Sequence, residues 1–90
     1  MHRMAGDSFT AFFPKMTGSL EVSGPMLPIR GEKHVQVSLT HVVSFQKTGA
    51  APMGKVNVQL GYYDAFGNAE TLFFAMRDAD YHALKQKLGK

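Results

Sequence analysis

Ninety residues with 44% hydrophobic and 19% charged content describe one foldable domain, too short for two ordinary cores and too apolar for a disordered chain. The absence of cysteine excludes a disulfide framework, a thiolate nucleophile and any cysteine-based metal site, and it fits a reducing compartment such as the cytoplasm. The net charge of +3 comes from ten Lys and Arg against seven Asp and Glu, mostly scattered as singles, so it permits attraction to phosphate or acidic surfaces without defining a site.

Residues 1–6 read as a flexible leader before a single domain over residues 7–90. The leader lacks the stretch of about 7 to 15 apolar residues of a secretory signal, and no run approaches the roughly 18 of a membrane span, so a soluble cytoplasmic chain is expected. Residues 8–13 are rich in Phe and stop at Pro14, which cannot donate to a ladder; they predict a first strand that ends there or lies at a sheet edge. Residues 18–24 alternate apolar and polar between glycines, which predicts a half-buried strand with Leu20 and Val22 inward.

Pro25 and Pro28 argue against a central strand over residues 25–30, so an edge strand or extended loop is expected there, with a turn at Gly31 and Glu32. Residues 34–39 alternate again, with Val35, Val37 and Leu39 on one face and His34, Gln36 and Ser38 on the other. After a bend at Thr40 and His41 comes a strand over residues 42–47, and residues 48–54, with Gly49, Pro52 and Gly54, read as a mobile hairpin loop.

The last third is one continuous cassette. Val56, Val58, Leu60 and Tyr62 share one face of a strand over residues 55–63, with Asn57, Gln59, Gly61 and Tyr63 on the other. A turn at Gly67 and Asn68 leads into a strand over residues 70–76, where Leu72, Phe74 and Met76 take one face and Phe73 and Ala75 the other, so both faces of this strand are expected to be covered. A helix over residues 78–89 follows, with Asp78 as N-cap, Asp80 near the positive end of the dipole, Lys85 and Lys87 near the negative end, and Gly89 as C-cap. Tyr81, Leu84 and Leu88 recur at spacings of three and four, the stripe an amphipathic helix lays on a sheet.

Chemistry-bearing patterns are sparse. The four histidines, His2, His34, His41 and His82, show no His-x-x-x-His pair, so a metal role for His34 with His41 would need a tertiary meeting; the expected reading is a solvated His34, a His41 packed at a bend and a His82 on the outer flank of the helix. No nucleophile elbow is present, Ser38 and Ser44 read as polar strand positions, and Asp78 with Asp80 is explained by helix capping without acid–base work. The strand-to-helix junction Met76-Arg77-Asp78 has no glycine for a phosphate cradle; a looser anion site would require Arg30 and Lys33 to approach Lys47 and Lys55 on one rim. Tyr63, Phe66 and Phe73 beside Lys55 and Arg77 would suit base stacking, but a small β core needs its aromatics for packing.

The order of elements resembles the bacterial pleckstrin-homology-like (PH-like, GRAM-like) domains. The likeness rests on Leu39, Val42 and Phe45 in one strand, Tyr63, Asp64 and Gly67 at a hairpin, and Tyr81, Leu84 and Leu88 on a closing helix. It implies a mainly β (α+β) fold of about seven antiparallel strands, a partly open barrel or two orthogonal sheets, capped by one C-terminal helix. It also implies a binding or self-associating module with no catalytic role and no cofactor. Only Lys15 lies between the first two predicted strands, a departure from the phosphoinositide-binding pattern, in which basic residues crowd that hairpin.

The expected function is therefore a cytoplasmic interaction domain that binds a protein or peptide and self-associates. Its contacts are expected on the Pro-bearing segment (Met26, Leu27, Ile29, Arg30), on Lys47 and Lys55 flanking the long loop, and on Tyr63 and Phe66 at the hairpin tip. The alternative is a nucleic-acid-binding module with Lys55, Arg77, Lys85 and Lys87 as a basic face.

Overall fold

A computed structural model describes residues 8–32 and 34–89; the expected leader and Lys33 lie outside them. In chain order the elements are β1 (Ser8–Phe12), β2 (Thr17–Glu21), β3 (Met26–Arg30), β4 (His34–Ser38), a 3-10 turn (Leu39–His41), β5 (Val42–Ala51), β6 (Lys55–Tyr63), β7 (Ala69–Arg77) and α1 (Asp78–Leu88). The seven strands make one antiparallel sheet in the order β4-β3-β2-β1-β7-β6-β5, so β4 and β5 are its edges and the sheet does not close. The expected mainly β fold with a single C-terminal helix is what forms, as one partly open sheet and not as two separate ones. Its two meanders, β1–β4 and β5–β7, are joined through a single register pair, Phe12 with Ala75.

The concave face carries the core. Leu20, Leu27, Ile29, Val37, Phe45, Leu60, Phe74 and Met76 are all buried there, and Val22, Val35, Leu39 and Leu72 pack against them half-buried. On β6, Val56, Val58, Leu60 and Tyr62 are buried, as the alternation predicts. Tyr81, Leu84 and Leu88 of α1 join the same cluster, and the helix rests on β5, β6 and β7.

Its docking is specific at the edge strand. The Tyr81 ring stacks on Phe45 at 5.1 Å, and its hydroxyl accepts a hydrogen bond from the Lys47 backbone N–H at 3.0 Å. The Lys85 ammonium donates to the Phe45 carbonyl at 3.1 Å. A helix thereby supplies partners to backbone groups of an edge strand, where exposed ladder groups invite pairing with other chains.

Four expectations are corrected. The segment over residues 25–30 is not at an edge: β3 lies inside the sheet, paired along its length with β4. It tolerates proline because its ladder with β2 holds only the pairs Ser19–Arg30 and Leu20–Ile29 and stops short of Pro28, while Pro25 lies before the strand and its carbonyl accepts from the Leu39 N–H. Residues 48–51 are not loop. β5 runs on to Ala51 across a register shift between Lys47 and Gly49, held by the Thr48 hydroxyl on the Asn57 carbonyl and the Asn57 side-chain amide on the Ala50 carbonyl, both at 3.3 Å.

The helix N-cap is Arg77, which makes no side-chain cap bond, and Asp78 is the first helical residue; Asp78 and Asp80 still lie in the first turn. Gly89 does cap the C-terminus, at φ 72° with its N–H reaching the carbonyls of Lys85 and Gln86. Finally, the second face of β7 is uncovered: Phe73 is 61% exposed, because the one helix lies on the concave side and no other described element packs outside.

Leu84→Ala is expected to lower stability by about 2 to 5 kcal/mol, and Tyr81→Phe by about 1 kcal/mol with faster hydrogen exchange at the Lys47 amide, both read by urea unfolding and amide exchange. A Cβ added at Gly18 would collide with the Arg30 carbonyl, whereas one at Gly49 would meet nothing within 4 Å. Gly18→Ala should therefore destabilise by about 1 to 3 kcal/mol and Gly49→Ala by no more than about 0.5 kcal/mol in the same assay.

Candidate functional site

The register of β6 and β7 separates two ends of the sheet. Lys55 opposite Arg77 marks the end from which α1 departs, and Tyr63 opposite Ala69 marks the other. Since α1 fills the first end, the concave face stays open toward the second. A cleft of about 300 Å³ lies there, between the ends of the β1–β2 and β3–β4 hairpins and the far ends of β6 and β7. Ile29, Val35, Tyr62 and Leu72 form its apolar wall, and Glu32 and Glu70 stand among its lining residues.

Phe13 forms one lip, and its position is set by glycines on two hairpins. A Cβ at Gly31 would lie 2.7 Å from the Phe13 ring and one at Gly18 would lie 2.9 Å from it, so the ring occupies space that only glycine leaves at both positions. The Phe13 N–H donates to the Met16 carbonyl at 2.8 Å, which closes the β1–β2 turn, and its ring lies 5.5 Å from that of Phe74. Phe13, Pro14 and Phe73 also line a shallow groove on the convex face with Phe12, Asn57 and Ala75. The aromatic lip is thus shared by an inner and an outer depression.

Polar groups near the cleft are unequally satisfied. Tyr62 is 5% exposed and lines the cleft, yet its hydroxyl has no hydrogen-bond partner among the described residues. Burial, and then the negative charges of Glu70 and Asp64, hold its pKa above the ordinary value, so it remains a protonated donor at neutral pH. Asp64, at the β6–β7 turn, is fully engaged: its Oδ1 accepts from the Asn68 N–H at 2.8 Å and the Phe66 N–H at 2.9 Å. Backbone donation from Asn68 in the first place, with help from Phe66 and the Asn68 side chain, outweighs desolvation and lowers its pKa.

The residues expected to make contacts are dispersed. Leu27 and Ile29 are buried core residues, which corrects their reading as surface contacts, although Ile29 also forms part of the cleft wall. The cause is the internal position of β3, whose inward side chains face the core. Met26 is half-buried, and Arg30 is exposed at the end of β3. Lys47 pairs with Asp78 at 3.5 Å and lies 5.8 Å from the Tyr81 ring; Lys55 lies 4.7 Å from the Phe12 ring. Tyr63 and Phe66 are exposed near the hairpin tip, Phe66 at 89%.

Arg30 is thus separated from Lys47 and Lys55 by β2, β1 and β7, and the anion rim is not assembled by the described residues. The basic face is also divided: Arg77 is paired bidentately with Asp80 at 3.0 and 3.2 Å, and Lys85 is bound to the Phe45 carbonyl. His34 stands opposite Arg30 and His41 closes the 3-10 turn, while His82 sits 3.4 Å from Asp78 on the exposed side of α1. Among the described residues no group of three or more metal-ligating side chains converges.

Sequence reasoning missed Phe13, Glu32, Val35, Tyr62, Glu70 and Leu72 as a group. The signal available was the aromatic pair before Pro14 together with Gly18 and Gly31, which are spaced as two hairpin ends able to receive one ring. No protein-family model matches the chain, and no curated protein matches it. No helix among the described residues is long and apolar enough to cross a membrane.

The lowered pKa of Asp64 fixes the sign of a pH effect. A folded value below the ordinary 3.8 gives stability that is fully present above that pH and lost as pH falls through the folded value. Asp64→Ala is expected to be less stable than the parent at neutral pH, with the gap narrowing below about pH 4, as followed by urea unfolding across an acid series.

Proposed function

We propose that this chain is a PH-like, non-catalytic interaction module of the cytoplasm that holds a segment of a protein or peptide partner in its open-end cleft. The observation that carries the reading is the cleft itself: an apolar wall of Ile29, Val35, Tyr62 and Leu72, bordered by an exposed Phe73 that continues onto the convex face. Contiguous apolar surface beside a concavity is the usual setting of a contact site. The seven-stranded antiparallel order with a plugging C-terminal helix agrees with the architecture implied by the PH-like resemblance, which supports a binding role at the level of fold. Self-association would use the same exposed aromatic surface.

The nucleic-acid reading draws support from the convex face, where Lys55 lies over Phe12 and Phe73 is exposed beside them. It is the weaker one, because Arg77 and Lys85 are already engaged and the cleft presents carboxylates.

Selection from a random dodecapeptide library against the folded chain tests the proposal. Enriched peptides are expected to shift amide resonances of Phe13, Val35 and Leu72, and to lose affinity for Leu72→Arg and Phe73→Ser variants whose circular dichroism is unchanged. Binders indifferent to both variants, or tighter binding of polyuridylate with a steep salt dependence, would defeat it.

A further inference from the structure

Resting on that reading, we infer that the occupant of the cleft is a basic segment: one apolar side chain seated between Leu72, Ile29 and Val35, flanked by arginine or lysine side chains that meet Glu32 and Glu70. The charge of the site runs against that of the chain. The protein carries a net +3, yet among the described residues the charged ones lining the cleft are both glutamates, with Lys15 and Arg30 outside the lining on the adjoining hairpins. Neither glutamate takes part in an ion pair among the described residues; Asp78 and Asp80 at the opposite end of the sheet do, with Lys47 and Arg77.

Exposed carboxylates beside an apolar wall are indifferent while water reaches them. Once an apolar ligand displaces that water, each must regain a partner or bear a desolvation cost, and a cation placed next to the anchor removes that cost. An anionic or acidic occupant would add like-charge repulsion to it.

A second feature bears on how a peptide backbone would sit in the cleft. Tyr62 lines the cleft with 5% of its surface exposed, and its hydroxyl is unpartnered among the described residues. The ring is buried while the hydroxyl end is only partly so and meets the water of the cleft, and a peptide carbonyl entering there can take the place of that water as its acceptor. The volume, about 300 Å³, sets the scale at one side chain with its adjoining backbone and not a folded surface.

The test uses three blocked, fluorescein-labelled peptides that share one central leucine and differ only in the residues on either side: arginine, glutamine or glutamate. Affinities are measured by anisotropy at low and at moderate salt against the full chain, Glu32→Gln, Glu70→Gln, Tyr62→Phe and the double variant Glu32→Lys/Glu70→Lys. The arginine peptide is expected to bind about tenfold more tightly than the glutamine one, each single Glu→Gln change to reduce that preference about two- to fivefold, and the double Lys variant to prefer the glutamate peptide. Added salt should shrink the preference. Tyr62→Phe should weaken all three peptides alike, as loss of a contact to backbone requires.

Equal affinity for the three peptides, or tightest binding of the glutamate peptide to the parent chain, would overturn the basic-segment inference while leaving the cleft as a site. Absence of saturable binding by all three, with every protein shown folded by circular dichroism, would remove the cleft reading and this inference with it.

Discussion

An open sheet of seven strands cannot bury its concave face alone, and in this protein a single helix has to do it. The contact on which that depends is Tyr81 against β5: ring on ring with Phe45, hydroxyl on the Lys47 N–H, with Lys85 reaching the Phe45 carbonyl one turn further along. Since β5 is an edge, the same contact both seats the apolar stripe Tyr81, Leu84 and Leu88 in the core and satisfies backbone groups that would otherwise be open to strand addition. The helix is only eleven residues long, about 16 Å at 1.5 Å per residue, and so covers one end of the sheet.

The open cleft is the consequence. Where β6 and β7 run past the reach of α1, the concave face has no lid, and the gap is partly filled by Phe13, a residue delivered from the β1–β2 turn into space left by Gly18 and Gly31. Close packing leaves little latitude there. A methyl group on Gly31 would meet the ring, and one on Gly18 both the ring and the Arg30 carbonyl, so the shape of the site depends on residues that carry no chemistry of their own. The electrostatics follow from the same topology: Lys47, Lys55 and Arg77 lie toward the helix end, while at the other end Glu32 and Glu70 line the cleft and Lys15 and Arg30 stand on the hairpins beside it.

Hydrophobic alternation made the β6 face, the inward Leu20 and the terminal helix with its Gly89 cap legible directly, because each is a property of side chains within a few residues of one another. Local rules failed where a neighbour from elsewhere in the chain changed the balance. Pro28 belongs to an internal strand because the ladder on one side of it stops early, and Thr48 to Ala51 stay extended because Asn57 bonds across to them. Phe73 looked like a second buried face for lack of any local sign that no layer lies outside it.

From the order of its residues alone, then, the chain determines most of its strands, the apolar faces of those that alternate cleanly, and the capped amphipathic helix that follows them. Those are short-range consequences of periodicity and backbone preference. Tertiary structure alone decided which strands are edges, that β1 meets β7 through Phe12 and Ala75, and that Phe13, Tyr62, Glu32 and Glu70 surround one cleft. Register between strands far apart in the chain is chosen by how their side chains fill a shared core, and no single segment carries that information.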